Sequence, residues 1–313
     1  MTRILARHEA ILAILFALAL AIMAGQSDRF LTTANLLNQG RLMTEVGLIA
    51  IPMTFVIITG GIDLSVGSIL GLCAILVGVF WQNAGLPLGL AIVASLAAGT
   101  LAGFVNGMIV TRFAVPPLIA TLATLALYRG LAEGISQARS VRGYPDWFAQ
   151  FGQGELFGIP TQLWLLAAVV LVGMFVLRLT AFGRATYAIG NNEAAADFSG
   201  INVNRTKLWI YTASGFVSAL AAIVFVSRVS TTRSDMGSGI ELEVITAVVL
   251  GGTSIFGGRG MVVGTLIGVC LMQILQNGLA LAGVRGDGTT VVIGVVLIVA
   301  VLISNFLSRF AND

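Results

Sequence analysis

Charge is what this sequence has least of. Only 10% of its 313 residues are Asp, Glu, Lys or Arg, against roughly 25% in soluble domains. Lys207 is the single lysine, and sixteen arginines lie scattered between apolar runs to give a formal charge of +3. No basic cluster points to nucleic acid, and no polybasic tail points to a special lipid contact. Histidine occurs once, at His8 in the N-terminal tail, which excludes a catalytic triad or a His-rich metal site within the apolar runs. Cys73 and Cys270, the two cysteines, lie far apart inside apolar runs and read as packing residues, not as a disulfide or a metal pair. No G-x-x-x-x-G-K-[ST] loop occurs, so the chain has no phosphate cradle of its own.

What is present is apolar sequence. Hydrophobic residues make up 57% of the chain and the mean hydropathy is +0.98. Glycines number 38 against 6 prolines, which suits closely packed membrane helices whose backbones approach over small residues. These features predict an all-α, polytopic membrane protein forming one transmembrane domain over 1–313, with the lipid bilayer as its solvent. A spanning helix needs about 20 apolar residues. Runs of that kind fall at 10–25, 42–59, 62–81, 86–111, 115–133, 161–179, 208–227, 242–258, 260–282 and 289–307, about ten in all. The first run follows Arg3 and Arg7 and reads as a retained span, with a cleaved signal peptide as the alternative. The placement of Arg and Lys puts both termini and the 182–207 loop on the cytoplasmic side. Spans two to five and seven to ten then form two four-helix blocks that would be inverted relative to each other, an architecture common in transporters.

Six stretches carry features that the apolar runs do not explain. In 182–207, Asn191-Asn192 precedes Glu193-Ala194-Ala195-Ala196-Asp197-Phe-Ser199 and Gly200 follows. That order reads as a short helix with an Asn cap, acids in its first turns and a Gly stop. It is either a docking knob or a plain solvated connector. Thr59-Gly-Gly-Ile-Asp63-Leu-Ser65-Val-Gly-Ser68 sets an acid between two apolar blocks. Asp63 and Ser65 could line a pathway through a broken helix, or Asp63 could cap the helix that follows. Residues 251–260 hold five glycines together with Thr253 and Ser254, a composition that weakens any helix there. Asn106, among Gly99, Gly103 and Gly107, reads as a helix–helix hydrogen bond or as a substrate contact. In the 134–160 loop, Tyr144, Trp147, Phe148 and Phe151 read as interfacial anchors, or as a landing surface for an extracytoplasmic partner. Glu241 and Glu243, two apart at the start of a span, point to different helix faces and make no carboxylate pair.

Gly60-Gly-Ile-Asp-Leu-Ser-Val-Gly-Ser68 resembles the signature of the ribose-type permease family of bacterial ABC importers. So do Val115-Pro-Pro-Leu-Ile-Ala-Thr-Leu-Ala-Thr124, Gly190-Asn-Asn-Glu-Ala-Ala-Ala-Asp-Phe-Ser-Gly-Ile201 and Ile245-Thr-Ala-Val-Val-Leu-Gly-Gly-Thr-Ser-Ile-Phe-Gly-Gly258. The family includes permeases for ribose, xylose, rhamnose and the autoinducer-2 signal. The resemblance implies an inner-membrane subunit that works with a second permease, identical or related. It also implies a cytoplasmic ATPase on another chain, which would hold the ATP, and a periplasmic substrate-binding protein. Residues 190–201 resemble the coupling helix that docks on that ATPase. Here Glu193-Ala194-Ala195 is followed by Gly200 one position late, whereas Ala194-Ala195-Ala196 gives the usual spacing. The expected activity is import of a small monosaccharide by alternating access, with the same machinery importing autoinducer-2 as the alternative. Asp63, Ser65, Asn106, Thr253 and Ser254 are the candidate pathway groups, and no catalytic, metal or cofactor site is expected in the chain itself. An ion-coupled secondary carrier would need intramembrane ionisable residues in a relay, and Asp63 and Glu45 are nearly all this sequence offers.

Overall fold

The computed structural model describes residues 30–137, 139–284 and 288–296, with isolated positions at 16, 17, 20, 21, 23–25, 298 and 302. Among the described residues the chain is an all-α bundle apart from one pair of two-residue strands. In order come α1 (Thr33–Leu42), α2 (Thr44–Ile58) and α3 (Val66–Gly78), the last extended by a π-helical turn over Val79–Asn83. Next are α4 (Leu88–Thr111), α5 (Pro117–Ser136), α6 (Asp146–Gln153), β1 (Glu155–Leu156), β2 (Ile159–Pro160) and α7 (Thr161–Leu179). The second half holds α8 (Ala181–Asn191), α9 (Glu193–Phe198), α10 (Val203–Val229), α11 (Ile240–Leu250) and α12 (Val262–Leu281). Residues 288–296 are also helical.

Burial explains the arrangement. Helix α2 is buried at nearly every position from Thr44 to Ile58, and a helix apolar all round belongs at the centre of such a bundle. Around it, α4, α5 and α7 turn Leu101, Ile119, Leu171 and Phe175 outward, as a lipid solvent permits. Among the described residues six helices are long and apolar enough to cross a membrane, and α1 with α2, bent by 47° at Met43, would make a seventh. Helices α4 and α10 cross where Gly103 meets Gly215: a Cβ on either would overlap the other's backbone, so only the missing side chains allow this approach.

Three expectations change on the structure. The run at 242–258 is helical only over Ile240–Leu250. The glycines behind it take left-handed backbone at Gly252, Gly257 and Gly258, and glycine costs a helix roughly 1 kcal/mol relative to alanine. The 182–207 stretch is not one open loop but three helical pieces. Thr180, Asn192 and Asn202 cap them by accepting from Gly183 N, Ala195 N and Arg205 N, so α10 begins five residues before the expected 208. In the 134–160 loop, Tyr144 and Phe148 are buried, stacked in series with Trp81 at 4.7 and 5.1 Å. Only Trp147 and Phe151 remain half exposed. The expected span at 10–25 lies largely, and that at 289–307 in part, outside the described residues, and Arg3, Arg7, His8 and Arg285 lie outside them altogether.

Candidate functional site

Two regions collect the polar groups singled out in the sequence, and they are built in opposite ways. The first is α9, at the end of the bundle where α7 stops and α10 starts. Its N-terminus is closed by Asn192, whose Oδ1 accepts from Ala195 N at 2.9 Å. At its C-terminus Ile201 N donates to Ala196 O and Gly200 N to Asp197 O, with Gly200 at φ +83°. That pair of bonds is the Schellman stop, which requires a left-handed residue at Gly200. Ile201 packs on Ala196, which is buried with Ile189 and Val203. Asn191 is the last residue of α8 rather than the cap, and its Nδ2 donates to Tyr187 O. Glu193 pairs with Lys207 at 2.7 Å. Ala194, Ala195, Asp197 and Ser199 face outward. Phe198 is 94% exposed. It escaped the sequence reading because an aromatic inside a short helix looks like core; its polar surroundings were the available signal.

This helix is keyed to the rest of the chain through α8. A Cβ on Gly190 would fall on Ile58 O and against Gly258 N, so backbone meets backbone there. Gly258 N donates to Ile58 O at 2.9 Å, and Tyr187 Oη donates to Gly260 O at 2.7 Å. Burial pushes the Tyr187 phenol up from its ordinary pKa. The glycine-rich 251–260 segment is thus a wedge between α8 and the end of α2. Within it, Ser254 N donates to Arg259 O and Gly257 N to Ser254 O, while Thr253 is buried with its Oγ1 unpaired.

The second region begins two residues beyond Ile58. There α2 ends, Gly60 turns left-handed, and Asp63 enters the interior with no exposed surface. Its Oδ1 accepts from Ser65 N at 3.0 Å and Ser65 Oγ at 2.7 Å, and its Oδ2 accepts from Ser214 Oγ of α10 at 3.0 Å. Asn106 of α4 donates to Ser65 Oγ at 2.7 Å and accepts from Tyr128 of α5 at 3.2 Å. Thr121 Oγ1 donates to Ile62 O. Asp63 therefore bonds the backbone just ahead of α3 and also ties the break to α10. Since Ser214 stands near the middle of the 27-residue α10, the break lies about halfway through the bundle. Irregular backbone at that depth stands only where protein groups satisfy it. The structure joins Asp63, Ser65 and Asn106 in one network, which adds Ser214 and Tyr128. Thr253 and Ser254 lie apart from it, in the wedge on the far side of Ile58.

Among the described residues no group of three or more His, Cys, Asp or Glu side chains is placed to hold a metal ion. The arrangement can transmit a push: α9 packs on α8 through Ala196 and Ile189, α8 bears on Ile58 and the wedge, and Ile58 leads directly into the Asp63 break.

Comparison with known proteins agrees with this architecture. The chain is 39% identical over 309 residues to a ribose import permease protein of Haemophilus influenzae, covering 97% of this chain and 95% of that one. It is 44% identical over 276 residues to the ribose import permease protein of Bacillus subtilis, covering 88% and 85%. With the autoinducer 2 import system permease protein of Escherichia coli SMS-3-5 it shares 37% identity over 321 residues, covering 97% of each. No solved structure matches the chain. Residues 32–301 match the family described as branched-chain amino acid transport system / permease component, and the chain belongs to that family.

Proposed function

We propose that the chain is the membrane subunit of an ATP-driven importer in the bacterial inner membrane, carrying a small monosaccharide of the ribose type toward the cytoplasm. The observation that carries this reading is α9: a helix capped at both ends, its outer face unused, seated by the Gly190 contact on Ile58 and the 251–260 wedge. A chain with no ATP site of its own needs such a surface to receive force from a separate ATPase. Ala194, Ala195, Asp197, Phe198 and Ser199 form the contact face. Glu193 instead turns to Lys207 and holds the helix in place. Closure of the ATPase pair pushes α9, and Ile58 passes the displacement to the Asp63 break, where α3, α4 and α10 can rock.

The assembly comprises a second permease, identical or related, and a periplasmic binding protein, with both termini of this chain in the cytoplasm. ATP hydrolysis belongs to the partner ATPase. The sugar assignment rests on the full-length likeness to ribose import permeases. The comparable likeness to an autoinducer 2 permease makes that furanone the second reading. Cells expressing this chain with its neighbouring ATPase and binding protein, offered labelled ribose, xylose, rhamnose and autoinducer-2 in turn, test both. ATP-dependent uptake of a sugar supports the first reading, and uptake of autoinducer-2 alone supports the second. Uptake that survives removal of the ATPase and follows an ion gradient overturns both.

A further inference from the structure

The segment between α10 and α11 is the least expected piece of backbone in the bundle. It starts at the end opposite α9, where Val141 N donates to Thr232 Oγ1 and Thr232 N to Val141 O. From there it runs inward until Gly237 O lies against Gly67, in the first turn of α3. Residues 231–239 thus enter the membrane-deep interior without forming a regular helix. Arg129 of α5 makes this tenable: its Nη1 donates to Ser234 O at 2.6 Å and to Met236 O at 2.9 Å. A guanidinium that satisfies two carbonyls of an irregular segment fixes the shape of that segment as well as its solvation.

The other side of this segment forms one wall of a partly open cavity of about 400 Å³, bordered also by α2, α10, α11 and the end of α1 at Leu42. Small-molecule sites span roughly 300–1,000 Å³, so this one suits a ligand of few heavy atoms. Its polar lining is Glu45, Arg228, Arg233, Asp235, Ser238 and Glu243, and Phe225 supplies an aromatic face. Both cations are already committed. Arg228 Nε donates to Glu45 Oε1 at 2.8 Å with its guanidinium 5.0 Å above the Phe225 ring. Arg233 grips both carboxylate oxygens of Asp235, at 2.9 and 2.5 Å. With three carboxylates, Glu45, Asp235 and Glu243, against these two guanidiniums, the lining disfavours a free anion. A neutral hydroxyl can instead donate to a carboxylate lone pair and accept from a remaining guanidinium hydrogen, leaving both pairs intact.

We infer that this cavity, between Glu45, Phe225, Arg228, Gly237, Ser238 and Glu243, is where the permease holds its cargo, a neutral polyhydroxylated ring of pentose size. The inference rests on the importer reading and assigns that reading a site. The cargo enters from the end opposite α9, and Arg129 is a positioning residue that shapes the wall without touching it. Ser238 is exposed on the cavity side and reports occupancy.

The test uses the permease–ATPase complex in nanodiscs with the binding protein left out. Ser238→Cys is alkylated with N-ethylmaleimide while D-ribose is titrated in, and the labelled peptide is followed by mass. Gln150→Cys, exposed on α6 and not part of the cavity lining, serves as control. D-Ribose should slow labelling at position 238 by about tenfold near saturation, the factor set by the occupied fraction, and leave position 150 unchanged. Adding Glu243→Gln or Phe225→Leu to the reporter should shift the protecting concentration severalfold upward. Protection by L-leucine and not by ribose overturns the neutral-polyol assignment. Absence of protection in a complex that carries ribose into proteoliposomes overturns the site and leaves the importer reading standing. If the complex carries a different sugar of the panel, that sugar replaces ribose in the same assay, with the same two outcomes.

Discussion

Helix α9 and the Asp63 break are both polar interruptions of an apolar chain, but they use their polar groups differently. In α9 the bonds are local: Asn192 caps three residues on, Gly200 and Ile201 close the last turn, and Lys207 reaches Glu193. On its outward face Ser199 Oγ folds back to Ala195 O at 2.7 Å, and Phe198 stands clear at 94% exposure. At the break the bonds are long-range. Asp63 and Ser65 reach Ser214 and Asn106, and Asn106 reaches Tyr128, so three other helices are drawn to one point. The difference teaches a division of labour. One region is finished in itself and free to meet a partner, and the other is finished only by the rest of the bundle and moves only if the bundle moves.

The comparison can be broken hardest at its joint. Gly190→Val would drive a side chain into Ile58 O and Gly258 N. Overpacking of rigid backbone costs about 3 kcal/mol or more, so folded permease in membranes should fall sharply, as read by fluorescence-detected chromatography. Next comes Asp63→Ala, which strips partners from Ser65 N and Ser214 Oγ and so disturbs Asn106 as well. Each buried polar group left unsatisfied costs on the order of 1–3 kcal/mol. Asp63→Asn keeps an acceptor for Ser65 and gains a donor for Ser214, so its thermal unfolding in detergent should lie much nearer wild type. Equal losses for the two variants would show that the charge, not the bonding, matters there. Asn192→Ala removes a cap worth about 1 kcal/mol; α9 should fray, seen as faster amide exchange over 193–198 with the global melt unmoved. The smallest effect belongs to Lys207→Gln. An exposed ion pair contributes roughly 0.2–1 kcal/mol, and this change should alter exchange in α9 only slightly.

Much of this was legible in the sequence where the determining physics is local. Long apolar runs announce membrane helices by composition, and Asn192 and Gly200 announce the two ends of α9 by backbone chemistry. The pairing of Asp63 with Ser65 lies within two residues. What spacing could not give was the partner 151 residues away, Ser214, or Tyr128 on α5, because nothing local marks one serine or tyrosine among many as the one that faces an acid. The run at 242–258 read as a span because its glycines do not interrupt an apolar stretch, although they do interrupt a helix. Arg129 gave no hint of its role, which exists only because residues 231–239 fold inward beside it.

The central claim is that the free face of α9 receives the force that drives the permease. The measurement that tests it most directly is ATP-dependent sugar uptake in proteoliposomes holding the permease, its ATPase and its binding protein, with Phe198→Asp and Ala195→Asp compared with wild type. Both positions are exposed and make no packing contact within the core, so melting temperatures should not change. The account predicts that uptake collapses in both variants and that the ATPase no longer co-purifies with the permease. Undiminished uptake with an intact, co-purifying ATPase would contradict it.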